Sequence, residues 1–258
     1  MPAPPIIEVE NLTIGYQTDG EQTVLLRDVS FQVLQGEVFV ILGGSGSGKS
    51  TLLKHMIGLH KPLRGHIHID GDDIVTAEGT ERRAIMRKFG VMYQMGALFG
   101  SMSTLENVRL PLEEFTGFDD DAIDLVARTK LYLVGLATAA HRLPAELSGG
   151  MQKRAAIARA MALDPEILFL DEPSAGLDPI TSAELDRLIL RLARTLGITF
   201  VVVSHELASI FTIADRVIML DARTRGIVAT GTPAQLRDHN DNPWVHRFFN
   251  RESEEAMP

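Results

Sequence analysis

Val38-Phe-Val-Ile-Leu42-Gly43-Gly44-Ser45-Gly46-Ser47-Gly48-Lys49-Ser50-Thr51 is the stretch whose reading decides the fold. Five consecutive apolar residues read as a strand covered on both faces. The glycines that follow allow a sharp turn, and Thr51–Leu59 continues with helical spacing. Strand, glycine-rich turn and helix in this order are the context a phosphate-binding loop requires. The glycines let backbone N–H groups of Gly43 to Thr51 turn toward an anion, and the helix N-terminus adds its positive end. Lys49 then meets the β- and γ-phosphates, and the Ser50 hydroxyl ligates Mg²⁺. The bland alternative is a strand-to-helix turn with an incidental lysine. At ordinary glycine usage this eight-residue pattern arises by chance in roughly one chain in a hundred of this size, and the flanks lower that further.

Two other stretches carry chemistry. Ile167-Leu-Phe-Leu170-Asp171-Glu172 is an apolar run ending in two carboxylates. A carboxylate at a strand end beside a phosphate loop holds Mg²⁺ through water, the role given to Asp171. Glu172, next to it, is placed to align and deprotonate an attacking water. An Asp-Glu-Pro that merely ends a strand is the competing reading. Leu147-Ser148-Gly149-Gly150-Met151 precedes the helical stretch Lys153–Leu163, so Ser148 is a natural N-cap and the glycines leave the helix start open to an anion. Taken alone, the same residues describe an ordinary loop before a helix.

Further from the loop, β-rich runs alternate with helical ones, the mark of an α/β domain with a mostly parallel sheet. The strands expected are Ile6–Leu12, Val24–Val33, Val38–Leu42, His66–Ile69, Val91–Tyr93, Ile167–Asp171, Thr199–Val203, Val217–Leu220 and Gly226–Thr230. Val38–Leu42, Val91–Tyr93, Ile167–Leu170 and Thr199–Val203 are apolar throughout and are expected at the sheet centre. Ile6–Val33 reads as an antiparallel hairpin turning near Gln17-Thr-Asp-Gly-Glu. From Met95 to Asp164 helical signals dominate: a capping box at Ser103-Thr-Leu-Glu106, an acidic first turn at Phe118-Asp-Asp-Asp121 and a stop at Gly135. The expected organisation is one cassette over residues 1–258. A core of 6–94 and 165–235 carries an inserted helical subdomain at 95–164 and a C-terminal extension at 236–258.

Composition excludes several classes. The 258 residues carry 34 acidic against 25 basic side chains, a net charge of −9, which argues against coating a nucleic-acid backbone. With no cysteine, disulfides, thiolate catalysis and iron–sulfur clusters are out of reach. The start lacks the basic and apolar regions of a secretory signal, and no apolar run approaches the ~20 residues of a spanning helix. Residence in the cytoplasm is therefore expected, with any membrane role exercised through a partner. His66 and His68 share one strand face, but two imidazoles without a third ligand do not make a transition-metal site.

The order and spacing of the phosphate loop, Leu147 to Met151, Asp171-Glu172 and His205 resemble those of the ATP-binding cassette ATPases, over about residues 6 to 235. The resemblance implies a P-loop, RecA-like core with an N-terminal antiparallel β subdomain, and hydrolysis of ATP with Mg²⁺. It also implies a second copy of the chain, so that Ser148, Gly149 and Gly150 touch the γ-phosphate bound to the partner. By position, Tyr16 resembles the aromatic that stacks on adenine, and Gln94 the glutamine that meets Mg²⁺ or the attacking water. His205 resembles the histidine on the γ-phosphate, and Asp178 the acidic residue of the interface loop. Met151 stands where many members have Gln, and Glu206 follows the histidine where Asp is common; neither removes a catalytic group.

Met95 to Leu112 looks like the corresponding stretch in ATP-binding subunits of bacterial lipid transporters that work with MCE-domain proteins, the Mla system of outer-membrane lipid asymmetry among them. This resemblance implies a peripheral subunit at the cytoplasmic face of the inner membrane. Its partners would be permease subunits, MCE-domain proteins and small accessory subunits, with no nucleic acid. Leu98 and Phe99 would then help receive a permease helix, unless they are core residues. The C-terminal stripe of Trp244, Phe248 and Phe249 packs either on the chain's own body or on a partner.

Overall fold

The computed structural model describes residues 3–18, 21–94 and 96–251. Asp19-Gly20 of the hairpin turn and Met95 of the helical stretch lie outside them. In chain order the elements are β1 (Pro5–Thr18), β2 (Glu21–Leu34), β3 (Val38–Gly43), α1 (Lys49–Met56), β4 (Arg64–Ile69), β5 (Asp72–Asp73), α2 (Gly79–Arg87) and β6 (Phe89–Met92). They continue with α3 (Thr104–Phe115), α4 (Asp120–Leu133), α5 (Gly149–Ala160), β7 (Ile167–Asp171), α6 (Pro179–Leu196), β8 (Thr199–Val203), α7 (Leu207–Ile213), β9 (Arg216–Asp221), β10 (Gly226–Gly231), α8 (Pro233–Asp238) and α9 (Pro243–Asn250). The chain forms two compact units, one drawing on residues up to Val75 and from Val203 onward, the other spanning Thr76–Val202.

In the first unit β2, β1, β4 and β5 make an antiparallel sheet, with Ile7 opposite Val33 on one side and Ile69 on the other. Ile7 and Val9 bury one face of β1, and Leu12 and Ile14 resume it after a break in the alternation. That break is a bulge at which Asn11 takes φ 47° and its N–H donates to Ser30 Oγ at 2.8 Å. β3 runs parallel to β9, and β9 pairs antiparallel with β10. The Asp215 carboxylate accepts from Val38 N at 2.8 Å and fixes where β3 starts.

In the second unit β8, β7 and β6 are neighbours in that order, and β6 runs parallel to β7 from Phe89↔Ile167 to Met92↔Leu170. Every residue of β3, β7 and β8 is buried, as expected of strands covered on both faces. The expectation for Val91–Tyr93 needs correcting. The strand is Phe89–Met92, the outermost of its group, and Gly90 and Val91 are only half-buried. Gly90 is where α5 presses in: a Cβ there would stand 1.9 Å from Ala160 O, so only glycine lets the strand pass.

Among the described residues no strand lies between β6 and β7. α3 starts on the anticipated capping box, Glu106 N donating to Ser103 Oγ and Ser103 N to the Glu106 carboxylate. Asp119 caps α4 by accepting from Ala122 N. Arg109 ties α3 to α4 through Asp120 and Asp124. The buried Asn107 amide holds the preceding loop through Phe99 N, Phe99 O, Met102 O and Ser103 O, all within 3.1 Å. Among the described residues no helix is long and apolar enough to cross a membrane.

Candidate active site

The first unit holds the phosphate loop, Tyr16 and His205. At the end of the buried β3, Gly43 takes φ 154°, a conformation foreign to side chains, and a Cβ there would lie 2.5 Å from Leu220 O. Gly46 and Gly48 also have positive φ, 75° and 92°. The helix cap is thus a glycine with no side chain to cover the first amides of α1, the arrangement that suits an anion. Lys49 Nζ folds back onto Gly43 O at 2.9 Å and Gly44 O at 3.0 Å, which holds its charge over the loop. Ser47 Oγ is buried without a hydrogen-bond partner among the described residues. A buried orphan hydroxyl inside a glycine cradle with a lysine across it fits a phosphate.

The Tyr16 ring is 51% exposed, and its hydroxyl lies 3.3 Å from Thr51 Oγ1, so β1 presents an aromatic face beside the start of α1. Ser204 N donates to Ile41 O of β3, which carries His205 next to the strand that feeds the loop.

The second unit holds Gln94, Asp171, Glu172, Asp178 and the Leu147 to Met151 stretch. Asp171 and Glu172 are both buried at the end of β7. Glu172 has φ 48°, a left-handed backbone that a non-glycine residue adopts only when its surroundings impose it. Ser148 caps α5 by accepting from Met151 N at 3.3 Å. Asp178 caps α6 through Ile180 N and Thr181 N and also accepts from the Thr181 hydroxyl; these bonds hold its carboxyl below the usual carboxylate range. A Cβ on Gly149 would meet Leu177 at 3.4 Å and one on Gly150 would meet Thr181 at 2.3 Å, so the start of α5 lies against the Asp178 loop.

Lys153 is a residue the motif reading passed over. Its ammonium, on α5, donates to the Gln94 carbonyl. Burial lowers its pKa, and the charges of Asp171 and Glu172 work in the other direction. One buried cation thereby connects the Gln94 segment, the strand-end carboxylates and the helix of the Ser-Gly-Gly stretch. Arg159, one face further along α5, donates to Ala97 O at 2.7 Å and Gly96 O at 3.0 Å. Both bonds span about 60 residues of sequence, beyond the reach of any local pattern. Phe99 is 51% exposed and Leu98 half-buried. His66 is paired with Asp73, and no cluster of metal-ligating side chains occurs among the described residues.

A glycine cradle with its lysine, a strand-end carboxylate pair and a glycine-capped helix define a nucleotide-hydrolysing cassette. Against known families, residues 26–175 match the ABC transporter family. The chain is 40% identical to the probable ribonucleotide transport ATP-binding protein Mkl of Mycobacterium leprae, over 97% of this chain and 70% of that protein. It is also 40% identical to the intermembrane phospholipid transport system ATP-binding protein MlaF of Haemophilus influenzae, over 92% of this chain and 87% of that one. Among solved structures, the dimeric post-hydrolysis state of an ATP-binding cassette bound to ADP and Pi superposes with a TM-score of 0.79 at 32% identity, covering 88% of this chain and 98% of that one. The chain belongs to the ABC transporter family and is its ATP-hydrolysing subunit.

Proposed function

We propose that this subunit powers the movement of phospholipid between the inner and outer bacterial membranes. It would act as a homodimer bound peripherally at the cytoplasmic face of an inner-membrane permease, with MCE-domain and small accessory subunits in the complete machine. The observation that carries the ATPase part is the loop of Gly43 to Ser50, with Lys49 held over two of its carbonyls and Ser47 Oγ left for a ligand.

In this reading Tyr16 stacks on adenine while Gly43, Gly44, Ser45, Gly46, Ser47, Gly48, Lys49, Ser50 and Thr51 receive the phosphates. Ser50, Gln94 and Asp171 offer the oxygen donors a hard cation prefers, and Mg²⁺ held there would neutralise phosphate charge. Glu172 takes the proton of the attacking water, and His205 faces the γ-phosphate. The second copy presents Leu147, Ser148, Gly149, Gly150 and Met151 across the interface, with Asp178 in the loop beside them. Grip from both copies exists only with ATP in place, so nucleotide favours the closed pair and hydrolysis releases it.

The phospholipid cargo is supported by the likeness to MlaF, which extends over most of both chains. Permease docking is supported by the exposed Phe99 ring, whose backbone Asn107 holds in place. Glu172→Gln should keep ATP binding and nearly abolish phosphate release; unchanged turnover refutes the assigned base. Purification of the chain from native membranes should bring down a permease with bound phospholipid. A permease carrying a ribonucleotide, as Mkl is named for, or another small molecule would refute the cargo and leave the ATPase standing. A soluble or nucleic-acid partner would refute the transport role.

A further inference from the structure

The C-terminal helix reaches the phosphate loop of its own chain. The one described group within 4 Å of a Cβ built on Gly44 is Cζ2 of Trp244, at 3.6 Å. The indole of α9 therefore lies at van der Waals distance from the point where a side chain at Gly44 would begin. α9 is firmly seated: Asn242 caps it by accepting from Trp244 N at 3.0 Å, and Val245 and Phe249 are buried. Aromatic contacts continue from Trp244 to Phe248 at 6.0 Å between ring centroids, on to Phe249 at 5.7 Å, and then to Phe211 of α7 at 5.8 Å. Arg237 stacks over the Phe211 ring at 5.2 Å and ties α8 to the same cluster. α7 begins two residues after His205. One short helix thus lies beside the loop at one end and, at the other, packs on the helix that follows His205.

We propose that Trp244 is a positioning residue for the phosphate loop, bracing Gly44 so that the loop is ordered before nucleotide arrives. A glycine-rich loop has many backbone conformations to lose on binding, and a ring packed against it removes part of that loss in advance. The inference deepens the nucleotide-site reading above and rests on it. Phe248, Phe249 and Phe211 anchor the brace on α7, which begins two residues after His205, so the two parts of this unit assigned to the phosphates have a common neighbour.

Trp244 is the only tryptophan in the chain, so its fluorescence reads the contact without any variant. ATP is titrated into the full-length protein in EDTA to suppress turnover, with excitation where adenine does not absorb, and binding is measured in parallel by equilibrium dialysis of labelled ATP. The expected result is a saturable change in emission, and lower accessibility to acrylamide, that follows the dialysis isotherm. Trp244→Ala should weaken ATP binding roughly threefold to tenfold, the factor that loss of an aromatic contact implies. It should change kcat less than KM, and Trp244→Phe should recover most of the affinity. ATP that binds in dialysis while Trp244 emission stays constant overturns the brace and leaves the nucleotide site intact. So does Trp244→Ala binding as tightly as the parent. Absence of ATP binding in the parent chain, both in EDTA and with Mg²⁺ restored, refutes the site itself, and the brace falls with it. Should Trp244→Ala fail to fold, the parent titration and Trp244→Phe still decide the matter.

Discussion

Gly150→Ala adds a single methyl group at the second residue of α5, and the structure shows what it would meet. The new Cβ would stand 2.3 Å from Cγ2 of Thr181, far inside van der Waals contact. Thr181 has little freedom to turn away, because its hydroxyl donates to Asp178 Oδ2 at 2.5 Å and its N–H to Asp178 Oδ1 at 3.1 Å. Either α5 and α6 move apart, or Thr181 rotates and gives up its side-chain bond to the residue that caps α6. Overpacking of this kind costs about 1–3 kcal/mol. Alanine returns up to about 1 kcal/mol over glycine in a helix, less in the first turn where few intrahelical bonds depend on it. The net loss is about 1–2 kcal/mol, which for a chain of this size lowers the thermal midpoint by roughly 2–8 °C. Thermal unfolding followed by circular dichroism measures it, with Thr181→Ser as the companion variant. Serine lacks Cγ2 and keeps the hydroxyl that Asp178 accepts, so Gly150→Ala with Thr181→Ser should regain most of the loss. A midpoint for Gly150→Ala at or above the parent's, or no recovery in the double variant, would refute the close packing of the Ser-Gly-Gly helix on the Asp178 loop.

Lys153→Met keeps much of the buried stem and removes the ammonium that donates to the Gln94 carbonyl. Stability should fall by about 1.5–3 kcal/mol, the range for a hydrogen bond involving a charged group, and ATP turnover should fall with it; an unchanged urea midpoint and rate would refute the role assigned to that cation. Acid should destabilise the fold in a definite window. Asp178, held low chiefly by the Thr181 hydroxyl, Glu106 by Ser103 and Asp124 by Arg128 all have folded pKa values below their ordinary 3.8 or 4.5. Groups depressed in this way stabilise the fold above their unfolded pKa and lose that contribution as pH falls through the folded value. Buried His55, whose pKa desolvation lowers, adds a loss that begins as pH falls through the imidazole's ordinary 6.5. The thermal midpoint should therefore fall gently from there and more steeply below about pH 5, and Asp178→Asn should make the acid limb shallower; a limb of equal slope in that variant would contradict the assignment.

How much of this was legible in the sequence follows from the range of each interaction. The strand into the phosphate loop, the capping box at Ser103, the acidic helix start at Asp119 to Asp121 and the cap Ser148 are local signals, and the structure has them where the residues say. α2 and β5, charged and short, had no counterpart in the apolar pattern. The edge position of β6 was hidden because Phe89 to Met92 are as apolar as a central strand, and the need for glycine at 90, where the Ala160 carbonyl approaches, comes from a residue 70 positions away. Lys153 and Arg159 were unassigned, and Trp244 was left between its own chain and a partner, for the same reason: each lies against a segment brought near only by folding.

Two of the departures from local rules, at Glu172 and Ser47, fall where the chemistry is proposed. Glu172 is a carboxylate with a left-handed backbone at the end of a strand buried along its whole length. Such a conformation costs on the order of 1–3 kcal/mol, and Gly or Asn would adopt it with less strain. The burial of Ile167 to Asp171 fixes the strand's exit, and the turn after it, with Ala175 N donating to Glu172 O at 3.2 Å, fixes the direction in which the chain leaves. Packing on both sides therefore imposes the strained backbone on whatever residue stands at 172. Stability alone would favour glycine there; a carboxylate at the more strained choice accords with the catalytic base proposed for this position. Ser47 follows the same logic on the phosphate loop, where a buried hydroxyl without a partner lowers the stability of the folded chain and leaves a donor for the ligand.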